Sequence, residues 1–156
     1  MDSIDRNILV ALQQDGNASL AELGKVAGLS VSATAERVKR LEERGTIRGW
    51  RADLDPAAVG CPLLAWVFVA LRPATTDQKF REALLPLEAV LECHAVSGAW
   101  SYLLKLRVAS LAELETFVAG ELRRRGGVER TETILALATL KETAILPVAP
   151  ADDEEE

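Results

Sequence analysis

The sequence predicts an α+β fold, in which three N-terminal helices are followed by an alternating pattern of strands and helices. Apolar residues recur at helical spacing through residues 2–44, where polar caps and glycines mark the helix ends. From residue 61 onward, apolar strands alternate with two capped helices in the order β-α-β-β-α-β, which is the ferredoxin-like arrangement. The chain of 156 residues is long enough for two such units.

The first unit is expected to contain three helices. The first helix starts at residue 2 or 3 and ends at Gln14. The second begins at Ser19, whose hydroxyl forms a capping box with Glu22, and it ends at Gly28 in a conformation of positive φ. The third helix is expected over residues 30–44, with a serine as its N-cap and a glycine beyond its end.

The second and third helices together have the form of a helix-turn-helix. A short capped helix, a glycine turn and a helix rich in Arg and Lys follow one another between residues 19 and 49, which predicts a winged-helix-like unit that places one helix in the major groove of DNA. The net charge of −6 argues against such a partner when the chain is taken whole. However, residues 28–51 carry six cations and three glutamates, whereas residues 152–156 alone contribute five negative charges. Local charge decides phosphate contacts, because salt screens fields beyond about 8–10 Å.

Three cations on the third helix are candidate DNA contacts. Arg37 and Arg40 are expected to bind phosphate, with guanine as the alternative for Arg37. Lys39 is the third of these cations. An ordinary solvated helix face is the competing interpretation, and the capped helix and glycine turn before it argue against that interpretation.

Four other residues of this helix complete the predicted interface. Ser32 and Ala33 occupy its first two turns, where base edges are usually read. Ser30 is a helix cap whose hydroxyl can also bond a phosphate. Glu36 either accepts a hydrogen bond from a cytosine amino group or orients Arg40 four residues further on.

The boundary between the two units is expected near Asp55-Pro56, after a short strand over residues 47–54. The predicted segments are a helix-turn-helix DNA-binding domain (1–50), a hinge strand and linker (51–60), a ferredoxin-like domain (61–146) and an acidic disordered tail (147–156). The expected elements of the ferredoxin-like domain are a strand over 63–70, a helix capped by Thr75 and Gln78, strands over 90–96 and 102–108, a helix from Ser110 to about Leu122, and a strand over 128–140.

The predicted sheet has one face without cover. Two helices can cover only one face of a four-stranded sheet, and a solvated second face should show alternating apolar and polar residues. The strand over 63–70 does not alternate, and residues 134–137 are apolar on both faces. We therefore expect a homodimer formed through these sheets with two-fold symmetry.

Several classes of function are disfavoured by what the chain lacks. No apolar run approaches the roughly 18 residues of a membrane span, so the cytoplasm is the expected location, without a membrane partner. Cys61 and Cys93 are expected to be buried thiols rather than a disulfide or zinc site. His94 is the one histidine, read either as a partly buried strand residue or as a pH switch or ligand-site residue. No catalytic constellation, metal site or cofactor motif is recognisable, so we expect no enzyme.

Five stretches of the chain resemble the Lrp/AsnC, or feast/famine, family of prokaryotic transcription regulators. They are IDRNILVALQQDGNASLAEL (4–23), GLSVSATAERVKRLEERGTIRGW (28–50), ADLDPAAVG (52–60), VSGAWSYLLKLRV (96–108) and GVERTETILALATLKE (127–142). The resemblance implies a sequence-specific regulator that binds double-stranded DNA. It also implies that the ferredoxin-like domain dimerises, often builds octamers, and often binds an amino acid or other small metabolite between dimers.

The resemblance places the effector near the turn after the second strand. The corresponding residues here are Ser97, Gly98, Ala99, Trp100, Ser101 and Tyr102. Family members commonly show a Gly-Asp-x-Asp-Tyr pattern at this turn, and both carboxylates are missing from this chain. An amino-acid ammonium group therefore lacks its most obvious counter-charge. Trp100 either lines an effector pocket or packs at an oligomer contact.

Two alternative functions follow from the same resemblance. Siroheme decarboxylases are similar to this family and use histidines around a tetrapyrrole, a role for which His94 alone is insufficient. Other relatives sense effectors or assemble without binding DNA, and the intact residues 19–49 argue against that alternative.

Overall fold

A computed structural model describes residues 1–125 and 127–149. It divides the chain into two compact units. The helical unit contains Met1–Ala52 together with residues 141–149, and the sheet unit contains the described residues of Asp53–Leu140. Residues 141–146 thus group with the helices, whereas the sequence assigned them to the ferredoxin-like domain. The expected disordered tail lies outside the described residues from position 150 onward.

The helical unit contains three helices whose ends agree with the sequence signals. They are α1 (Ser3–Gln14), α2 (Leu20–Ala27) and α3 (Val31–Glu43). Ser19 and Glu22 form the expected capping box, with the Glu22 N–H donating to the Ser19 hydroxyl and the Ser19 N–H donating to the Glu22 carboxylate. Gly28 ends α2 with φ of 67°. The buried core of this unit consists of Ile8, Leu12, Leu23 and Leu41.

Close packing of α2 against the turn before α3 depends on Gly24. A Cβ atom at this position would lie 2.8 Å from the Leu29 carbonyl oxygen and 3.1 Å from the Thr34 hydroxyl oxygen. Thr34 is fully buried, and its hydroxyl donates to the Ser30 carbonyl at 2.9 Å. The close approach of α2 to the Leu29 carbonyl and to Thr34 therefore requires a glycine at position 24.

The predicted strand over residues 47–54 is wrong. This segment has no strand conformation, and most of its residues are exposed. A strand is stabilised by the hydrogen bonds of a neighbour, and no strand of the described chain pairs with this segment.

The sheet unit has the predicted β-α-β-β-α-β order. Its elements are β1 (Leu63–Leu71), α4 (Asp77–Leu84), β2 (Val90–Ala95), β3 (Tyr102–Val108), α5 (Leu111–Glu115), a π-helical segment (Thr116–Leu122), α6 (Arg123–Arg125) and β4 (Val128–Leu135). The spatial strand order is β2-β3-β1-β4, and every neighbouring pair is antiparallel. The ferredoxin-like fold is thus confirmed.

Two of the element ends that differ from the sequence prediction have a clear physical reason. The N-cap of α4 is Thr76, which accepts from the Lys79 N–H, whereas the Thr75 hydroxyl donates to the Gly127 carbonyl at 3.1 Å. The last strand ends at Leu135 instead of residue 140. Its register partner on β1 at that point is Ala65, so the neighbouring strand ends almost immediately beyond it.

One face of the sheet holds the core of this unit. Its inward side chains pack against both helices, and the fully buried members include Val67, Leu104, Leu106 and Phe80. On the opposite face, Trp66 lies between Lys105 of β3 and Ile134 of β4, and it is only half-buried. Ile134 is 46% exposed. This open face is the one for which a partner was expected.

The two cysteines are not the buried pair that was expected. Cys61 is half-buried and Cys93 is exposed, and both are free thiols. Cys93 lies on β2, which is an edge strand, so its side chain has little cover. Among residues 1–125 and 127–149, no helix has the length and apolar character that crossing a membrane requires.

Candidate nucleic-acid interface

The start of α3 presents small polar and apolar side chains to solvent. Ser30 accepts from the Ala33 N–H at 3.3 Å, so its predicted capping role is confirmed. Its hydroxyl also lies 3.2 Å from the Ser32 hydroxyl. Ser32 is exposed and Ala33 is half-buried. A hydroxyl pair at an exposed helix start can meet a phosphate or a base edge without the removal of a covering side chain.

The cationic side chains of α3 differ in whether they form ion pairs with carboxylates of the same chain. Arg40 is exposed, and no ion-pair partner lies within 4.0 Å of it in the part of the chain that the structure describes. Lys39 lies 3.7 Å from Glu43, and both side chains are more than half exposed. Such a surface pair contributes little stability and is easily exchanged for a phosphate.

Arg37 does not have the position that the sequence predicted. Its Nη1 donates to Asp2 at 2.6 Å and to Asp5 at 2.7 Å, so both partners belong to the start of α1. The hydrogen bonds to Asp5 and Asp2 raise the pKa of Arg37. The Asp5 N–H and then the Arg37 guanidinium lower the pKa of Asp2. A guanidinium bound to two carboxylates is poorly placed to contact a phosphate or guanine, and the structure makes Arg37 a link between α1 and α3.

Glu36 does not orient Arg40 in this structure. Glu36 is exposed, and the two side chains form no ion pair within 4.0 Å, although they lie four residues apart. Of the two alternatives that the sequence left open, the orientation of Arg40 by Glu36 therefore has no support in this structure.

A cationic groove lies between the start of α1 and the last turns of α3. We define it by its lining residues Met1, Asp2, Asp5, Arg37, Arg40, Leu41 and Arg44. Both aspartates are bound by Arg37, which leaves Arg40 and Arg44 as the cations without a carboxylate partner among the described residues. The groove therefore offers a net positive site for an anion.

The predicted effector turn lies at the end of the sheet. Ser97 and Ala99 are exposed, and Gly98 has a φ of 101°. Ser101 fastens the turn to β1, since its N–H donates to the Val69 carbonyl at 2.8 Å and its hydroxyl accepts from the Leu71 N–H at 3.2 Å. The turn thus has a fixed backbone position.

Trp100 is the centre of a small cluster on the open face of the sheet. Its ring centroid lies 5.8 Å from that of Phe68, and the Arg130 guanidinium carbon lies 4.3 Å from the Trp100 ring. Arg130 also donates to the Ala99 carbonyl at 3.2 Å. This cation–π arrangement places a positive charge at the turn where carboxylates were missing.

Tyr102 requires a correction. Its ring stacks on Phe80 with centroids 4.6 Å apart, and it is only 4% exposed. Burial, followed by a hydrogen bond with Asp77, raises the pKa of its phenol. Within β3, Tyr102 shares the helix-covered face with Leu104 and Leu106. Trp100 precedes the strand, in the turn, and packs on Phe68 of the open face. Tyr102 is therefore part of the core rather than of the surface at the turn.

His94 is exposed rather than partly buried. Its Nε2 lies 3.1 Å from Glu92, which also accepts from Lys105 at 3.2 Å. The hydrogen bond with His94 and then that with Lys105 lower the pKa of Glu92. These groups share the open face of the sheet.

Sequence reasoning missed four residues that shape these regions: Arg44 in the cationic groove, Arg130 and Phe68 beside Trp100, and Asp2 as a partner of Arg37. Arg44 carried a local signal, because it lies four residues after Arg40 on the same helix. The other contacts join residues 30 or more positions apart, for which single-sequence periodicity has no signal.

These features define a class of protein. A capped helix-turn-helix with an exposed cationic helix is a DNA-binding unit, and here it shares a chain with a ferredoxin-like unit. The AsnC-type helix-turn-helix domain matches residues 1–42, and the Lrp/AsnC ligand binding domain matches residues 64–146. The chain belongs to the Lrp/AsnC family of DNA-binding transcription regulators.

Individual relatives agree with this placement. The chain is 42% identical over 148 residues to the leucine-responsive regulatory protein of Haemophilus influenzae, covering 94% of this chain and 89% of that protein. It is 40% identical over 145 residues to the protein of the same name from Escherichia coli K12, covering 92% and 88%. A transcriptional regulator of Neisseria meningitidis, solved with L-methionine, has a TM-score of 0.88 at 32% identity, covering 94% and 96%. The feast or famine regulatory protein of Mycobacterium tuberculosis, also solved with L-methionine, has a TM-score of 0.88 at 38% identity, covering 95% and 99%.

Proposed function

We propose that this regulator binds its operator through the exposed face of α3. The observation that carries the proposal is Arg40, an exposed cation on a capped recognition helix with no partner in residues 1–125 and 127–149. Arg40 and Lys39 bind phosphates, and the Ser30 hydroxyl supports them. Ser32, Ala33 and Glu36 face the base edges. Arg37 holds α3 against α1 and contacts no DNA.

Replacing Arg40 by alanine is expected to weaken binding to every duplex, whatever its sequence. Loss of one phosphate contact should lower the slope of log affinity against log salt by about one. Fluorescence anisotropy with operator and unrelated duplexes at several salt concentrations measures the slope. Lys79→Ala is the matched control, because it removes an exposed cation from α4 of the other unit.

The Arg37→Gln variant distinguishes, in the same assay, an arginine that binds protein carboxylates from one that binds phosphates. We expect a lower melting temperature and an unchanged salt slope, because Arg37 contacts protein carboxylates. An Arg40→Ala protein with a wild-type slope, or an Arg37→Gln protein with a reduced one, would contradict this division of roles.

We further propose that the protein acts as a homo-oligomer built from two-fold dimers. The support is the open face of the sheet, where Trp66 and Ile134 remain accessible within the chain. A two-fold dimer presents two copies of α3, so the operator should be roughly palindromic with half-sites about one helical turn apart. Assembly of these dimers into an octamer is an extension of the same proposal.

The site of action is the cytoplasm, and the function needs neither catalysis nor a cofactor.

An amino acid or another small metabolite is proposed as effector at the turn of residues 97–101. Arg130 and the Trp100 ring offer a carboxylate partner and an apolar surface. L-methionine is the compound named for the two solved relatives. The chain places Ala99 and Ser101 where the family pattern has carboxylates, so an ammonium group lacks a counter-charge. The Trp100 cluster and its Arg130 would bias the arrangement of subunits once occupied.

We expect calorimetric titration to show weak binding of most free amino acids, because the ammonium group has no carboxylate to pair with. Trp100→Ala should abolish the residual heat, and Trp50→Ala in the helical unit is the matched control. Micromolar binding of one amino acid would overturn the expectation and would indicate backbone carbonyls as the ammonium partner.

The tetrapyrrole-enzyme alternative has no supporting observation in the site. His94 is bonded to Glu92 on an exposed strand, and no group of three or more potential metal ligands occurs among the described residues.

A further inference from the structure

The segment after the sheet unit lies on α1 and is held there in a defined position. Gln13 makes two hydrogen bonds with the backbone of Leu146: its Nε2 donates to the carbonyl at 2.9 Å, and its Oε1 accepts from the N–H at 2.7 Å. A side-chain amide that satisfies both groups of one residue fixes the backbone as a neighbouring strand would.

A second contact gives the direction in which the segment runs. Nη1 of Arg6 donates to the Ala149 carbonyl. Arg6 and Gln13 are seven residues apart, so they lie two turns apart on one face of α1. The segment therefore runs from Leu146 to Ala149 towards the N-terminus of α1, which is the end that borders the cationic groove.

Arg6 itself has unused hydrogen-bonding capacity. Its Nε is buried and has no acceptor among the described residues. Asp2 of the groove lies four residues before Arg6, which is one helical turn of about 5.4 Å. The described segment therefore ends at Ala149 beside Arg6, one helical turn from a residue that lines the groove.

The residues that follow Ala149 are the most acidic of the sequence. Positions 152–156 read Asp-Asp-Glu-Glu-Glu, three to seven residues beyond the Arg6 contact. At about 3.4 Å per residue they can reach roughly 10–24 Å from that point. Arg40 and Arg44 in the groove have no carboxylate partner in the described chain. The contacts of Gln13 and Arg6, the direction of the segment, and the reach and charge of residues 152–156 are thus all consistent with binding in the cationic groove.

We propose that Asp152–Glu156 docks in the cationic groove and competes with DNA phosphates for Arg40 and Arg44. The tail carboxylates take the place of the phosphates, and the Gln13 and Arg6 contacts keep their local concentration high. The competition rests on the function proposed above, whereas the docking does not depend on it.

Docking is tested first without DNA. A carbodiimide joins a carboxylate to a nearby amine with loss of water. Met1 lines the groove, and its α-amine is available in protein produced to start at this residue. In the full chain at low salt, mass spectrometry should find residues 152–156 joined to the Met1 amine, and 0.5 M salt should reduce this product at least about threefold. Joining to Lys79 as often as to Met1 would overturn docking.

Competition is tested with duplex DNA of unrelated sequence. Neutralising the tail (D152N, D153N, E154Q, E155Q and E156Q together) should tighten binding about tenfold near 0.1 M salt, with a smaller gain at higher salt. Gln13→Leu keeps every charge and removes the anchor, so it should give part of this gain in the full chain and none in the neutral-tail chain. Gln14→Leu, at the exposed neighbouring position, is the matched control and should change nothing.

Each outcome separates the two proposals. Equal DNA affinity of the full and neutral-tail chains overturns competition. If the neutral tail tightens DNA binding and Gln13→Leu does not, the tail acts through its charge without docking. That result overturns the assignment of the tail to the groove. If no variant binds any duplex, the proposed function fails, and the Met1 crosslink still reports whether the tail docks.

Discussion

Replacing Gly24 by alanine is expected to destabilise the helical unit and to abolish tight DNA binding. The added Cβ would lie 2.8 Å from the Leu29 carbonyl oxygen, which belongs to the backbone and cannot rotate away. Alanine favours a helix over glycine by about 0.5–1 kcal/mol. Overpacking of this kind costs about 1–3 kcal/mol, so the steric cost should prevail.

We expect the loss of DNA-binding free energy to exceed the loss of unfolding free energy. Relief of the contact requires α2 and α3 to separate, which moves the recognition helix relative to the rest of its unit. Thermal melting by circular dichroism and anisotropy with a duplex measure the two effects. Gly120→Ala is the control, because a Cβ at that position meets nothing within 4 Å and should be neutral or stabilising. A Gly24→Ala protein as stable as wild type would show that the turn before α3 can shift to accommodate the added Cβ atom.

Replacing Trp66 by glutamate is expected to convert the proposed oligomer into monomers. Trp66 lies at the centre of the open sheet face, between Lys105 and Ile134. In a two-fold sheet-to-sheet dimer the substitution buries a carboxylate from each protomer, and the dimer dissociation constant should rise more than about 100-fold. DNA affinity should fall with it, since a monomer binds a single half-site.

Light scattering across a range of protein concentrations measures the mass. Leu85→Glu is the matched control, because Leu85 is 83% exposed on the helix side of the same unit. A Trp66→Glu protein that keeps the oligomeric mass of the wild type would place the interface elsewhere.

Local signals in the sequence predicted the helices well, because each end is determined by residues within one turn of it. Ser19, Glu22 and Gly28 have the contacts or the backbone conformation expected of them. The cap of α4 was assigned one residue early, since Thr75 and Thr76 are both good caps. Only the distant contact of Thr75 with Gly127 shows which of them begins the helix.

Non-local contacts explain the remaining errors. The segment 47–54 has the composition of a strand, but strand conformation depends on a neighbour that periodicity does not identify. For the candidate interface, helical spacing correctly put Ser32, Glu36 and Arg40 on an exposed face. It could not separate Arg40 from Arg37, because Asp2 and Asp5, which bind Arg37, lie 35 and 32 positions away.

The π-helical segment Thr116–Leu122 has a consequence for chain length. Phe117 and Leu122 are both buried, although residues five apart on a regular α-helix lie about 140° apart around the axis. The wider turn brings both to the core by taking up one additional residue. A related chain with one residue fewer at this point could therefore keep the same sheet and core with an ordinary helix, so a gap there in an alignment need not signal a different fold.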